Sequence, residues 1–290
     1  LSEQMRREGV VYGMPEAEYH APRDELSSAG AKLILECAAK FKYQVIDGNR
    51  VHRPAFDLGT AVHTKVLGVG AEFIEYPNEH LTASGNVSTK AATVLWENEM
   101  REAGHIILTP AQALQADCMA EAVLREPESR RLFEREGNAE VSIFHELNGV
   151  KRRGRFDYLP SEGGFAVDLK TTLDASPFGF RSSVENFGYH IQYGHYTDIL
   201  ERITGEKRDM IFVVVEKAPP YLVNVIRFDE LEDYARFGET EALEAVDRYR
   251  RCMESGEWPG YLEQGITKIK PSMRLVYDFQ DKYESEEMQL

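Results

Sequence analysis

The sequence predicts a mixed α/β fold, a central sheet flanked by helices with a helical N-terminal extension. Three observations carry that reading. Up to about residue 130 the segments read helical; near residue 139 the pattern changes to alternation; from there the order is three strands, a helix, two strands and a helix. The chain shows no internal repeat or low-complexity stretch. Its 290 residues therefore read as one domain, with 1–130 mainly helical, 139–255 the sheet core and 256–290 a C-terminal extension.

Taken in order, "ELSSAGAKLILECAAKFKYQVI" (25–46) predicts a helix with Ser27 and Ser28 as cap candidates. "DLGTAVHTKVLG" (57–68) starts at an acid and stops at a glycine, as helices do. Segments 88–103 and 110–126 read as two more, the second opened by "TPAQ" with Pro110 in its first turn. "AEVSIFHEL" alternates, Asn148-Gly149 makes a turn, "GVKRRGRFDYLP" returns, and "GGFAVDLKTT" follows the break "PSEGG". A helix over about 189–203 ends at Gly205. Strands "MIFVVVEK" and "YLVNVIRF" flank Pro219-Pro220, and a charged amphipathic helix covers about 229–255.

Composition excludes several classes. The longest apolar runs, such as "IFVVV" (211–215), are far short of the roughly 20 residues of a membrane helix, and "LSEQMRREGV" lacks a signal-peptide core, so a cytoplasmic protein without membrane contact is expected. Cys37, Cys118 and Cys252 are too few and too scattered for an iron–sulfur cluster. The net charge of −15 opposes a polyanionic partner, yet it is unevenly spread: residues 229–263 hold 11 acids against 4 bases, whereas "KRRGR" (151–155) is basic at four of five positions. An acidic exterior can coexist with a basic cleft, particularly where bound cations neutralise carboxylates.

The chemistry concentrates in "GRFDYLP" and "AVDLKTT". Two-residue periodicity sends Asp168 and Lys170 to one face of their strand, with Ala166. If the two strands pair as a hairpin, Asp157 approaches Asp168. Two adjacent carboxylates repel unless a divalent cation sits between them. Lys170 beside them is placed to orient or deprotonate an attacking water, or to balance charge on a phosphorane-like transition state. Arg153 and Arg155 share the strand face of Asp157 while Arg152 looks the other way, and all three are candidates for phosphate contact. Tyr19, Phe41, Phe178, Phe187 and Trp258 read as core or interface residues.

These segments resemble the D…(D/E)-x-K signature of the PD-(D/E)xK nuclease superfamily. "GYHIQYGHYTDIL" (188–200) resembles the Q-x-x-x-Y motif of its RecB-like branch, at Gln192 and Tyr196, and "GTAVHTKVLG" (59–68) resembles that branch's upstream helix with a metal-binding histidine at His63. From "YHAPRDELSSAGAKLIL" to "WPGY" the chain is similar to RecE-type exonucleases. The resemblance implies the restriction-endonuclease-like core, with Asp157, Asp168, Lys170, Gln192 and Tyr196 at the catalytic site. It implies one Mg²⁺ or Mn²⁺ held by Asp157, Asp168 and the Leu169 carbonyl, and a second held by His63 with Glu140; His195, Tyr189 and His190 are lesser candidates.

By that resemblance the protein degrades linear double-stranded DNA from its ends, 5′ to 3′, exposing 3′ single strands for an annealing partner of the RecT type. It further implies a homo-oligomer, a ring-shaped tetramer, and a phage or prophage origin. Alternatives stay open: a structure-selective or CRISPR-associated-type endonuclease of the same fold, or a catalytically silent DNA-binding domain. A glycosidase built on paired carboxylates would leave Lys170 and the Gln-Tyr helix without a role.

Overall fold

The computed structural model describes residues 8–49, 55–70, 72–228, 233–261, 266 and 268–284. The chain divides into a unit Leu1–Trp258 and a unit Pro259–Leu290. The first is built on a six-stranded sheet of β1 (Gly9–Val11), β4 (Gly137–Leu147), β5 (Val150–Pro160), β6 (Phe165–Thr172), β7 (Asp209–Glu216) and β8 (Val223–Arg227), in spatial order β1-β4-β5-β6-β7-β8. Neighbours run antiparallel except β6 and β7. The predicted hairpin forms: Leu147 pairs with Val150, and Asn148 and Gly149 both take positive φ, the conformation a two-residue hairpin turn requires. A second, two-stranded parallel sheet joins β2 (Phe73–Glu75) to β3 (Ile106–Leu108).

Helices cover both faces. α8 (Pro177–Phe187) and α9 (Tyr189–Thr204) bury Phe180, Tyr193, Tyr196 and Ile199 with Ile143, Phe156, Ala166 and Phe212 of the sheet. On the opposite face α4 (Ala55–Leu67) and α6 (Pro110–Arg125) bury Val62 and Met119 with Val167, Leu169 and Val213. The faces expected for β6 are thus observed: Ala166 and Asp168 toward α9, Val167 and Leu169 toward α4. α6 starts as expected, with Thr109 and Gln112 completing a reciprocal cap.

The helix predicted over 25–46 is broken. α2 (Ser28–Glu36), capped by Ser27, gives way at an extended Cys37 to α3 (Ala38–Phe41), and Lys42–Ile46 continues as a wider π-type turn. The break carries Phe41 into a third cluster with Ile34, Val246 and Tyr249 of α10 (Asp233–Ser255), where its ring stacks on Trp258 at 5.8 Å. Tyr19, on α1 (Glu16–His20), is also buried. Phe178 and Phe187 are not in the core: both are exposed, at 75% and 61%.

α5 (Ala91–Glu102) reaches α4 through Arg101 and the buried Asp57, 3.2 Å apart, and α7 (Pro127–Phe133) leads into β4. In the second unit, α11 (Met273–Phe279) opens at a Ser272 cap and exposes Met273, Leu275, Tyr277 and Phe279.

Candidate active site

The site lies where β5 and β6 part. Tyr158 and Val167 are ladder partners. Two residues further along β6, a side chain takes over from the backbone: the Leu169 amide donates to Oδ2 of Asp157, the neighbour of Tyr158, at 2.6 Å. A buried amide at a strand separation needs an acceptor, and this one uses a carboxylate. The alternation of β5 slips nearby, since Phe156 and Leu159 enter the same cluster while Tyr158 packs on the other. On β4 the neighbouring Glu140 holds φ +52°, a conformation that disfavours side chains and marks a local interruption of the sheet.

Asp168, 1% exposed, takes its place from the α9 side. Gln192 Nε2 donates to its Oδ1 at 2.5 Å, and Lys170 Nζ stands 2.6 Å from its Oδ2. The ammonium also sits over the Tyr189 ring, 4.7 Å from the centroid. From the α4 side, His63 Nδ1 reaches Asp157 Oδ1 at 3.4 Å. His63, Glu140 and Arg155 line a cleft of about 870 Å³, together with Glu16, His20 and Thr60.

The two aspartates are driven apart electrostatically. Burial raises both carboxyls; at Asp157 the His63 imidazole, Lys170 and the Leu169 amide reverse this, so its pKa is lowered. At Asp168 burial prevails, reinforced by Asp157 and opposed by Lys170, so its pKa is raised. Burial pulls Lys170 down, but Asp168, Tyr189 and Asp157 more than offset it, and the ammonium is held charged. His63 behaves alike: burial lowers it, Asp157 outweighs that, and the net shift is upward. Burial and Asp157 push Glu140 up to about 7 despite Arg155 beside it.

Lys170 and His63 therefore neutralise the two carboxylates that a metal ion would otherwise bridge. Among the described residues no three His, Cys, Asp or Glu side chains stand together as a ready metal cage. The donor chemistry nevertheless suits a hard divalent cation. Asp168 Oδ2 is buried and faces the Lys170 ammonium at 2.6 Å, with no second donor against it among the described residues, so it is the oxygen a hard cation would take.

A family described as "PDDEXK-like domain of unknown function (DUF3799)" matches residues 27–268, a span that holds His63, Glu140, Asp157, Asp168, Lys170 and Gln192, while the part of the cleft wall from Gly13 to His20 lies before it. The chain belongs to this PDDEXK-like family. A solved structure of a candidate exonuclease from Eubacterium rectale superposes with a TM-score of 0.62 at 16% identity, over 92% of this chain and 98% of that one, so the PDDEXK-like chain shares its fold. A phage-related exonuclease from Haemophilus somnus aligns over 80% of this chain and 96% of that one, with 12% identity and a TM-score of 0.33, too low to add to the assignment. No curated protein matches the sequence.

Within the PDDEXK-like pocket some expected residues converge and others do not. Gln192 holds Asp168 directly. Tyr196 does not reach the carboxylates; its ring packs edge-on to Phe156 at 5.3 Å and fills the space a side chain at Gly154 would need, so it seats α9 on β5. The expected phosphate contacts are corrected for two arginines. Arg152 is 1% exposed and paired with Asp198 of α9 at 2.6 Å, and Arg153, 7% exposed, donates to the Tyr19 and Pro22 carbonyls. Neither guanidinium is free to meet a phosphate at the surface. Arg155 does line the cleft, but Ser142, Glu140 and the Met14 carbonyl hold it.

His195 is fully buried and its Nε2 donates to the Arg153 carbonyl. Burial, with Arg152 adding to it, lowers its pKa from 6.5 to about 4. It is a structural group with a measurable consequence. The unfolded chain binds this proton more readily than the folded one, so stability is fully present above pH 6.5 and declines as the pH falls toward 4, by up to about 3 kcal/mol. Urea denaturation at pH 7 and pH 4.5 should show His195→Gln losing less stability than wild type on acidification. An equal loss in both would remove His195 from the account. Tyr189, a lesser candidate in sequence, touches Lys170, whereas His190 Nε2 pairs with Glu241 at 3.1 Å. The sequence signal for Tyr189 was its place at the head of the Gln192 helix.

Proposed function

We propose that the protein is a divalent-metal-dependent exonuclease acting on linear double-stranded DNA, 5′ to 3′, in the manner of RecE-type enzymes. The observation that carries the reading is the convergence of Asp157, Asp168 and Lys170 at one break in the sheet, with Gln192 and His63 delivered to it from opposite faces.

When bound, Mg²⁺ or Mn²⁺ supplies Lewis acidity toward the phosphate and makes nearby water more acidic. Asp157, Asp168 and the Leu169 carbonyl would hold one ion, His63 and Glu140 a second. Gln192 fixes the Asp168 carboxylate, so its free oxygen keeps one direction. Lys170, beside the Asp168 carboxylate, would be placed to orient the attacking water or to steady charge on the phosphoryl oxygens. The exposed 3′ strand would pass to a RecT-type annealing partner, and a homo-oligomeric ring would keep the enzyme on its substrate.

The test is digestion of a linear duplex labelled separately at its two kinds of end, with and without magnesium. The reading expects magnesium-dependent release of nucleotides beginning with the 5′ label. Cleavage of closed circular DNA at a similar rate would favour the endonuclease alternative, and no hydrolysis with either Mg²⁺ or Mn²⁺ would leave the DNA-binding alternative.

A further inference from the structure

Phe187 is a large aromatic ring left 61% exposed at the end of α8. Its surroundings are built. Gly188 turns the chain with φ +69°, so that the Phe187 and Tyr189 rings lie on the same side of the joint, centroids 5.8 Å apart. Lys32 of α2 runs across that joint: its ammonium donates to the Asn186 carbonyl and lies 5.8 Å from the Phe187 centroid. A side chain at Gly188 would strike the Lys32 stem at 3.0 Å, so this glycine serves both the turn and the lysine's path. Tyr189 in turn underlies Lys170 at 4.7 Å. Two neighbouring rings, Tyr189 and Phe187, thus run from the pocket to the surface with an ammonium at each end, Lys170 inside and Lys32 outside.

In a chain of net charge −15 such a run is not explained by general surface composition. Exposed aromatic rings beside ammonium groups are how proteins hold a nucleic-acid strand without reading its sequence, the ring taking a base face and the cation a phosphate. A ring can stack only on a base whose face is free. Apolar partner surfaces would not call for ammonium groups at both ends of the run.

We infer that Phe187 and Lys32 form a strand-positioning platform, which stacks an unpaired base adjoining the scissile phosphate at Lys170. The inference rests on the nuclease reading for the identity of the site, and it adds that the bound strand is single or frayed there. Phe187 is a positioning residue.

The test uses the full chain in EDTA, so that no hydrolysis is needed, with a single-stranded oligonucleotide carrying 2-aminopurine, whose fluorescence falls on stacking. Wild type should bind with quenching. Phe187→Leu should raise Kd roughly 5- to 160-fold and abolish the quenching, in line with roughly 1–3 kcal/mol per stacked base; Phe187→Trp should restore both, and Lys32→Gln should weaken binding without removing the quenching. Absence of binding by wild type, or equal Kd and quenching in Phe187→Leu, would overturn the platform. If the contrast holds but the labelled duplex is never hydrolysed, the catalytic reading falls and the platform stands; if hydrolysis occurs and Phe187→Leu binds as wild type does, the reverse is true.

Discussion

Asp168→Asn and Lys170→Met are each expected to reduce the proposed magnesium-dependent hydrolysis by roughly 10²–10³-fold while the fold survives. The size follows from placement. Asp168 offers one fixed oxygen to a cation and Lys170 one held positive charge to the phosphate, and losing a single preorganised charge-stabilising group costs on the order of 10²–10³-fold in rate. These replacements are chosen over alanine because the pair is buried. Removing one partner of a buried ion pair strands the other. Asparagine keeps the Gln192 contact and the volume, and methionine keeps the lysine's length without its charge. At Lys170→Met the remaining carboxyl, already raised by burial, can take up a proton instead of standing charged. At Lys170→Met activity should therefore fall with little change in melting temperature, whereas Asp168→Asn, which leaves the buried Lys170 ammonium against a neutral amide, should lower the melting temperature as well. A variant keeping more than a tenth of wild-type activity would remove its residue from the chemistry.

Gly238→Ala destabilises the protein by at least about 4 kcal/mol, among the largest effects a single substitution has. α9 and α10 cross backbone to backbone. A Cβ at Gly238 would stand 1.8 Å from the His190 carbonyl oxygen, and one at Gly194 would stand 2.2 Å from the Gly238 carbonyl carbon. Neither obstacle is the end of a flexible side chain, so relief requires the helices to separate. That would loosen Ala245 and Val246 from their cluster and move the helix that carries Gln192. The melting temperature should drop by roughly 8–16 °C. A drop below about 3 °C would show that the helices do not meet at these glycines. Such a crossing is hidden in sequence, because a helical glycine signals low propensity before it signals contact.

What sequence made visible was set by local physics. The Asn148-Gly149 turn fixes the register of β4 on β5, so Ile143 meets Gly154 and the hairpin could be placed residue by residue. Alternation put Asp168 and Lys170 together, and the resemblance to the Q-x-x-x-Y motif pointed to Gln192, which reaches Asp168. Depth was not legible. Periodicity places Arg153 on a face, but its carbonyl partners at Tyr19 and Pro22 lie more than 130 residues upstream. Arg152 likewise alternates like an edge residue while α9 covers it through Asp198. α8 lay outside the sequence reading, which assigned nothing between the strand ending at Thr172 and the helix over about 189–203, although Ser176 caps it and Pro177 opens its first turn. Tyr196 followed its motif into the right helix and then into the core, where Gly154 leaves room for it.

The central claim is that Asp157 and Asp168, now neutralised by His63 and Lys170, are a place for a divalent cation. Titration of Mn²⁺ followed by electron paramagnetic resonance tests it most directly, on wild type and on Asp168→Asn. The account predicts saturable Mn²⁺ binding by wild type, displaced by Mg²⁺, and weakened at least tenfold in Asp168→Asn. Mn²⁺ affinity indifferent to that substitution, or no saturable binding, would contradict it.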